Sequence, residues 1–181
     1  IGTALGTAIL PAISKYIDHG DPAAAIKVQN QAFDLAMLMT LPAAVALAVI
    51  GIPIVSLVYR HGQFTPEDAI ITGNTLALFA LGLPAYVLVK VLTPGFFARK
   101  DTKTPLYIAL FVLVANIALN FALIGKFEVY GLAAALMLTA WINCAMLWIV
   151  LKRRNQFHLD PAVGFRVFRQ LIAALVMGGV L

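Results

Sequence analysis

Four long stretches without a charged residue limit what this chain can fold into. Residues 35–59, 69–89, 104–125 and 129–151 contain no Asp, Glu, Lys or Arg. Each stretch supplies the roughly 20 residues that a helix needs to cross about 30 Å of hydrocarbon. The chain is 62% hydrophobic and only 12% charged, whereas a soluble domain carries roughly a quarter charged residues. The sequence therefore predicts an all-α, polytopic transmembrane bundle and excludes a water-soluble globule.

The predicted bundle contains four complete spans and two truncated ones. The complete spans cover approximately residues 33–59, 69–97, 105–125 and 129–151. The apolar ends, approximately residues 1–14 and 168–181, are too short to cross a bilayer alone. We therefore expect this sequence to be a fragment whose first and last helices are cut.

The positive charges are distributed very unevenly between the two sides of the predicted bundle. If the spans cross alternately, the connections on one side hold Arg60 and Lys126. Those on the other side hold Lys15, Lys27, Arg99, Lys100, Lys103, Lys152, Arg153, Arg154, Arg166 and Arg169. Because cytoplasmic connections are enriched in Lys and Arg, the second side is predicted to be cytoplasmic. The net charge of +5 thus reports orientation, with a generic attraction to anionic membrane lipids, and predicts no nucleic-acid partner.

Four predicted helix starts share one local pattern, in which proline follows a residue with a side-chain oxygen. The oxygen can accept from free backbone donors, and proline at the first helical position loses no bonded N–H. The four pairs are Asp21-Pro22, Thr65-Pro66, Thr104-Pro105 and Asp160-Pro161. The connections between the spans are short, so no soluble domain is predicted.

Lys90 is a charged residue deep within an apolar segment. It precedes Arg99, the predicted start of the cytoplasmic surface, by nine positions, which places it about 13 Å deep in a helix. A buried ammonium costs roughly 3 kcal/mol at the membrane centre and usually faces a bundle interior or a wet cavity. We therefore consider Lys90 and Arg99 as cavity residues for an anionic substrate. The alternatives are a snorkelling Lys90 and an Arg99 that only marks orientation.

Asn116, Asn120, Thr139 and Asn143 form a second polar group within the apolar stretches. Each pair is separated by four residues and shares one helix face, and a short turn makes the two helices antiparallel neighbours. Their oxygens are hard ligands that suit a cation such as sodium. The alternative is interhelical hydrogen bonding that holds the bundle together.

Asp34 lies where the first uncharged stretch begins, near the predicted cytoplasmic interface. We expect its carboxylate to be solvated or paired with Lys27 or with another interfacial basic residue. A role in proton transfer is the alternative, because carboxylates inside membranes often serve as proton relays.

The sequence carries no pattern of a catalytic site or of a resident metal. It contains no nucleophile elbow, phosphate loop, nucleotide fingerprint or zinc-type His-Glu pair. The single Cys144 excludes an internal disulfide and a cysteine-rich metal site. The three histidines, His19, His61 and His158, lie on separate connections. We therefore predict a transporter rather than an enzyme, with no metal other than a sodium ion.

Residues 90–105, KVLTPGFFARKDTKTP, resemble the K-V-L-A-P-x-F-[YF]-A-R-x-D-T-x-T-P signature of the MurJ/MviN family of lipid II flippases. Residues 6–11, GTAILP, with Ser14 resemble that family's G-T-x-x-L-P-x-x-S, and residues 62–65, GQFT, resemble its G-x-F-T. The resemblance covers essentially the whole chain. It implies part of the second lobe of a two-lobed fold within the multidrug/oligosaccharidyl-lipid/polysaccharide exporter superfamily.

The resemblance also implies a function and a location. The family moves the undecaprenyl-pyrophosphate-linked precursor lipid II across the bacterial inner membrane by alternating access, without a nucleotide. The expected partners are lipid II, membrane lipids and the first lobe of the same protein. Asn116, Asn120 and Thr139 are similar to the family's proposed sodium positions, although Asn120 is neutral where some relatives carry an acid. The alternatives are export of another polyprenyl-linked glycan, a drug/cation antiporter, and a membrane scaffold that transports nothing.

Overall fold

The structure, a computed structural model, describes residues 2–59 and 64–181. Arg60, His61 and the first two residues of the GQFT motif lie outside this part of the chain. The described residues form α1 (Gly2–Asp18), α2 (Pro22–Tyr59), α3 (Pro66–Phe97), α4 (Lys103–Arg153) and α5 (Pro161–Val180). Because this part of the chain contains no strand, the predicted all-α class is confirmed.

Four of these helices, α2 to α5, are long and apolar enough to cross a membrane. The predicted polytopic transmembrane class is therefore confirmed. The helices extend beyond the apolar spans at the predicted cytoplasmic end. Helix α2 begins at Pro22 rather than near residue 33, α1 continues to Asp18, and α5 begins at Pro161 rather than near residue 168.

Helix α4 is a hairpin of two antiparallel arms, residues 103–127 and 129–153, joined at Glu128. The backbone of Glu128 leaves the helical region, with φ 48° and ψ −124°. The arms approach closely beside this turn, since a Cβ added to Gly131 would lie 2.6 Å from the carbonyl oxygen of Leu123. Farther along, Asn116 Nδ2 donates to Thr139 Oγ1 across 3.1 Å. Each arm has about 25 residues, enough to cross about 30 Å of hydrocarbon.

Three helices end in the same cap at the predicted cytoplasmic end. Gly20, Lys100 and Asn155 adopt left-handed conformations, with φ of 74°, 59° and 53°. In each case the next residue's N–H donates back to a carbonyl five positions earlier, which defines a Schellman cap. The bonds run from Asp21 to Tyr16 at 2.9 Å, from Asp101 to Phe96 at 3.1 Å and from Gln156 to Leu151 at 2.9 Å. The caps satisfy helix-end carbonyls where the chain turns back toward the membrane.

Three of the four predicted helix starts agree with the structure, at Pro22, Pro66 and Pro161. The start predicted at Thr104-Pro105 is wrong, because α4 begins at Lys103. Asp101 supplies the cap there, and its Oδ1 accepts the Thr104 N–H at 3.0 Å. The Thr104 hydroxyl instead donates to Asp101 Oδ2 at 2.6 Å.

Helix α3 is central and packs against α1, α2 and α4, while α5 packs against α2. Close backbone approach occurs where small residues meet. A Cβ on Gly73 of α3 would lie 2.7 Å from the Ile52 Cα of α2, and one on Gly51 would lie 3.1 Å from the Gly73 carbonyl oxygen. Membrane helices associate through such small residues because lipid provides no hydrophobic force between them.

An aromatic cluster lies in the core of the bundle, close to the predicted cytoplasmic end. The ring of Phe33 in α2 lies 5.5 Å from Trp148 in α4 and 6.4 Å from Phe157 in the α4–α5 turn. Trp148 and Phe157 meet edge to face at 5.3 Å. Phe96 and Leu92 of α3 belong to the same core and are fully buried. This core joins α2, α3, α4 and the α4–α5 turn just beneath the basic turns.

Replacing Gly131 with alanine tests the hairpin directly. We expect Gly131→Ala to destabilise a full-length protein carrying this chain by about 1–3 kcal/mol, because the new methyl meets a backbone carbonyl. Gly125→Ala is the matched control, since nothing lies within 4 Å of a Cβ there. Thermal unfolding in detergent should show a lower Tm for Gly131→Ala only. Equal melting temperatures for both variants would contradict the close approach.

Candidate functional site

One groove between α3 and the two arms of α4 brings together the two polar groups that the sequence singled out. Its volume is about 420 Å³. Lys90 of α3 lines it together with Asn116, Thr139 and Asn143 of α4. Tyr86, one helical turn before Lys90, also lines the groove. Lys90 and three of the four polar residues predicted on α4 thus line one cavity, and Asn120 is not among its lining residues.

Lys90 lies where α3 contacts both α1 and α4. Its side chain is exposed, and within residues 2–59 and 64–181 no carboxylate lies within ion-pair distance of it. Pro94 has no N–H to donate to the Lys90 carbonyl four positions earlier. Gly6 of α1 packs there, since its added Cβ would lie only 2.9 Å from that oxygen. The first glycine of the GTAILP motif therefore allows α1 to approach α3 beside Lys90.

Three of the predicted ion-site residues form a directional chain of hydrogen bonds. Asn120 Nδ2 donates to Asn116 Oδ1 at 2.9 Å, and Asn116 Nδ2 donates to Thr139 Oγ1 at 3.1 Å. The Thr139 hydroxyl in turn donates to the Ala135 carbonyl at 2.8 Å. The structure therefore brings these three side chains together as interhelical hydrogen bonding. Asn143 lies in the same groove, one turn beyond Thr139.

The oxygen atoms of this chain suit a sodium ion in kind, and one of them is free. Asn120 Oδ1 is buried and accepts no hydrogen bond from the residues that the structure describes. Asn116 Oδ1 and Thr139 Oγ1 each already accept one N–H group, and each keeps a second lone pair. These oxygens are of the kind that a hard cation takes, and in the present arrangement their hydrogen bonds hold the two arms together.

Arg99 does not line the groove that contains Lys90. Its Nη1 donates to the Gly95 carbonyl at 2.6 Å, and its Nη2 donates to the Gln156 carbonyl at 3.3 Å. Partial burial lowers the pKa of the Arg99 guanidinium. The side chain thus joins the end of α3 to the α4–α5 turn, and it lies apart from the other predicted cavity residue.

Asp101 completes this connection between the two cytoplasmic turns. It accepts from the Thr104 hydroxyl and backbone N–H, and it forms an ion pair with Arg154 at 2.5 Å. These hydrogen bonds from Thr104, followed by Arg154, lower the pKa of Asp101 to about 2. We call Arg99, Asp101, Thr104, Arg154 and Gln156 the cytoplasmic clasp. The A-R-x-D-T-x-T part of the motif therefore holds the α3–α4 turn against the α4–α5 turn.

Asp34 pairs with a basic residue, as one of the two sequence interpretations expected. Its Oδ2 lies 2.8 Å from Arg166 Nε, and its Oδ1 accepts from Gln170 Nε2 at 2.9 Å. The partner is therefore Arg166 of α5 rather than Lys27 of its own helix. This carboxylate ties α2 to α5.

Sequence reasoning missed Tyr86 and Gln29. The Tyr86 hydroxyl donates to the Leu136 carbonyl at 3.2 Å, and its position four residues before Lys90 was the available signal. Gln29 is 1% exposed, and its Nε2 donates to the Val91 carbonyl at 3.3 Å. A Cβ at Gly95 would lie 2.8 Å from that nitrogen, so the glycine of the P-G-F-F segment leaves room for Gln29.

Comparison with known proteins identifies the family. The model of the lipid II flippase MurJ family matches residues 1–181. This chain belongs to that family. The MurJ family match therefore extends over both the groove residues and the cytoplasmic clasp. Together with the long apolar helices, it makes this a multi-pass chain of the bacterial inner membrane.

Curated MurJ relatives match the whole chain at moderate identity. A probable lipid II flippase MurJ of Rhizobium meliloti (strain 1021) is 37% identical over 181 residues, which is 100% of this chain and 34% of the relative. That of Rickettsia prowazekii (strain Madrid E) is 35% identical, covering 98% of this chain and 35% of the relative. The lipid II flippase MurJ of Burkholderia cenocepacia is 30% identical, covering 100% and 35%. The chain therefore spans about a third of the length of these MurJ proteins.

Replacing Asp101 tests the cytoplasmic clasp. Because folding lowers the pKa of this carboxyl, its contribution is present at neutral pH and is lost as pH falls from about 4 toward 2. We expect Asp101→Asn to remove about 1–2 kcal/mol of stability at pH 7, with the exposed ion pair contributing the smaller part. The melting temperature should fall at pH 7 and change little near pH 2.

Asp18→Asn is the control for this measurement. Asp18 is exposed at the end of α1, and we expect its replacement to change stability by less than about 0.5 kcal/mol. An equal loss at both positions, or a loss at Asp101 that persists unchanged at pH 2, would contradict the assigned role.

Proposed function

We propose that the full-length protein carrying this chain moves lipid II from the inner to the outer leaflet of the bacterial inner membrane for peptidoglycan synthesis. The observation that supports this proposal best is the groove that Lys90 lines together with Asn116 and Thr139, while no carboxylate of the described residues pairs with Lys90. The name and the full-chain match of the family support the same substrate. Family members of about three times this length supply the first lobe against which this piece moves.

Lys90 is proposed to attract the pyrophosphate of the substrate. An ammonium within an apolar segment is costly unless it faces polar surroundings, and the groove supplies amides, a hydroxyl and the Tyr86 phenol. A phosphate oxygen near Lys90 gains a charge-assisted hydrogen bond, which is stronger than a bond between neutral groups. Asn143 and Asn116 offer amide donors in the same cavity. The groove thus combines one positive charge with neutral donors, a set that suits an anionic head group.

The clasp and the packed glycines are proposed to make this piece move as one body. Arg99 and Asp101 hold the α3–α4 turn to the α4–α5 turn. Alternating access commonly proceeds by one rigid bundle rocking against another. Rigid cytoplasmic turns would transmit that motion to the groove without changing the distance between α3 and α4.

Two other functions make different demands on the same residues. Export of another polyprenyl-linked glycan or of a drug keeps the need for a groove but changes the substrate. A membrane scaffold needs the packing and the clasp but has no use for the Lys90 charge. The family name favours lipid II among these, and the charge of Lys90 distinguishes a transporter from a scaffold.

Replacing Lys90 tests the transport proposal. We expect Lys90→Met in the full-length protein to lower lipid II transport at least about tenfold, because a phosphate contact to a charged group is lost. Lys90→Arg should restore most of the activity. The measurement is the amount of lipid II that remains on the inner leaflet after the wild-type protein is depleted and the variant is expressed.

Lys126→Met is the matched control, because Lys126 is exposed beside the outer turn and does not line the groove. Normal transport by Lys90→Met would exclude the proposed role of Lys90. Depletion of the parent without lipid II accumulation on the inner leaflet would exclude lipid II transport itself.

Sodium binding is proposed for the hydrogen-bonded side chains of Asn116, Asn120 and Thr139, supported by Asn120 Oδ1, which is buried and has no hydrogen-bond partner among the described residues. A carboxylate at this position adds a charged oxygen to the same set. We therefore expect Asn120→Asp to raise sodium affinity about tenfold, since affinity follows the charge of the ligands. Isothermal calorimetry with sodium chloride, with choline chloride as the control, measures the change. An absence of sodium-specific heat in both proteins would exclude the site.

A further inference from the structure

A seam between α2 and α5 carries a separate concentration of basic and polar side chains. The two helices run parallel, since both begin at the predicted cytoplasmic end and stay in contact inward. Asn30 Nδ2 donates to the His158 carbonyl at 3.0 Å, and Asp34 binds Arg166 one helical turn deeper. Near the far end, Gly178 packs against Val45. None of these seam residues lines the groove between α3 and α4.

Two cavities follow one another along this seam. The cavity nearer the predicted cytoplasmic end has a volume of about 540 Å³, and its lining includes the polar residues Lys27, Gln31, His158 and Arg166. The cavity nearer the membrane centre has a volume of about 390 Å³ and is lined by Leu38, Pro42, Ala173, Gln170, Arg166 and Arg169. Arg166 lines both cavities, so they adjoin at its side chain. The seam is therefore basic toward the cytoplasmic end and increasingly apolar inward.

Two of the basic side chains along the seam are free to bind an anion. Arg166 is committed to Asp34, and the Asp160 carboxylate accepts the Ala162 N–H at 2.9 Å. Within residues 2–59 and 64–181, no carboxylate lies within ion-pair distance of Lys27 or Arg169. The formal charge of the seam is thus positive even with its two carboxylates counted and His158 neutral.

The same seam holds an unsatisfied buried polar atom. Gln170 donates from Nε2 to Asp34, which leaves its Oε1 buried without a partner. A hydroxyl of a bound ligand can supply the donor that this oxygen lacks. Buried acceptors without a partner are uncommon in proteins, and binding of a ligand or a water is one of their ordinary explanations.

We propose that the α2–α5 seam binds an anionic phospholipid of the cytoplasmic leaflet. The phosphate lies where the two cavities adjoin, attracted by Lys27 from one cavity and by Arg169 from the other, and a glycerol or head-group hydroxyl faces Gln170. An acyl chain follows the apolar surface of Leu38, Pro42 and Ala173 toward the membrane centre. A free phosphate ion would leave that apolar surface unused, and this observation favours the phospholipid. The proposal is independent of the transport function.

Native mass spectrometry of the purified full-length protein tests the proposal. The probes are dioleoylphosphatidylglycerol and, as the zwitterionic comparison, dioleoylphosphatidylcholine. We expect Lys27→Gln and Arg169→Gln each to weaken phosphatidylglycerol binding about fivefold, and the double variant about twentyfold. Phosphatidylcholine should bind more weakly and be insensitive to both substitutions.

Arg153→Gln is the matched control, because Arg153 is exposed in the last turn of α4 and lines neither cavity. It should change phosphatidylglycerol binding less than about twofold. An equal loss in the control would show general surface attraction and overturn the site. Unchanged binding in the double variant would overturn it as well.

Two further arms decide the identity of the occupant. Millimolar inorganic phosphate that displaces phosphatidylglycerol would indicate a small-anion site, and lipid II affinity that falls by the same factor in the double variant would indicate a substrate site. Either result would overturn the phospholipid assignment. A diazirine-bearing phosphatidylglycerol on the unmutated protein should label α2 near Leu38 and α5 near Ala173. Labelling confined to other helices would contradict the proposal without any substitution.

Discussion

Hydrocarbon cannot form hydrogen bonds, and the rest of this structure depends on that constraint. Each helix that leaves the membrane must satisfy its final carbonyls within a few residues, and three Schellman caps do so on one side. Helix starts use the complementary device, in which Asp21, Thr65 and Asp160 accept from the first free N–H groups. The polar side chains inside the bundle obey the same constraint, and most of them bond to backbone carbonyls or to one another.

The hydrogen-bonding constraint separates two kinds of charged residue. Arg99 and Asp101 form hydrogen bonds within the clasp, to Gln156 and Thr104, so they hold the turns. Lys90 is tied to no carboxylate in the described part of the chain and shares a cavity with neutral amides. A structural role accounts for the first two residues but leaves the ammonium of Lys90 without a purpose. The proposed transport of an anionic lipid head group would give it one.

Fold class could be predicted from the sequence because it depends on a local quantity, the length of the uncharged stretches. Orientation stays a prediction, made from the side on which the basic residues collect. The pairing of Asn116 with Thr139 was also predictable, because a short turn fixes which faces of two helices meet. The position of Lys90 in the same groove was not, since it depends on how α3 packs against α4. Arg99 illustrates the same limit, because its acceptor on Gln156 is 57 residues away. Thr104 was mistaken for a cap because Asp101, three residues earlier, accepts the Thr104 N–H and so caps a helix that begins before Thr104.

The two ends of the second arm of α4 test the central claim, which is that the uncharged stretches cross the bilayer with their basic turns in the cytosol. Glu128→Cys and Asn155→Cys are introduced separately into a full-length protein in which Cys144 is replaced by alanine. Cells that express each variant are treated with a membrane-impermeant maleimide. If the host has an outer membrane, that membrane is permeabilised first. The account predicts that the cysteine at position 128 reacts while the inner membrane is intact, and that the cysteine at 155 reacts only after it is permeabilised. The opposite pattern, or equal labelling of both cysteines across an intact inner membrane, would contradict the account.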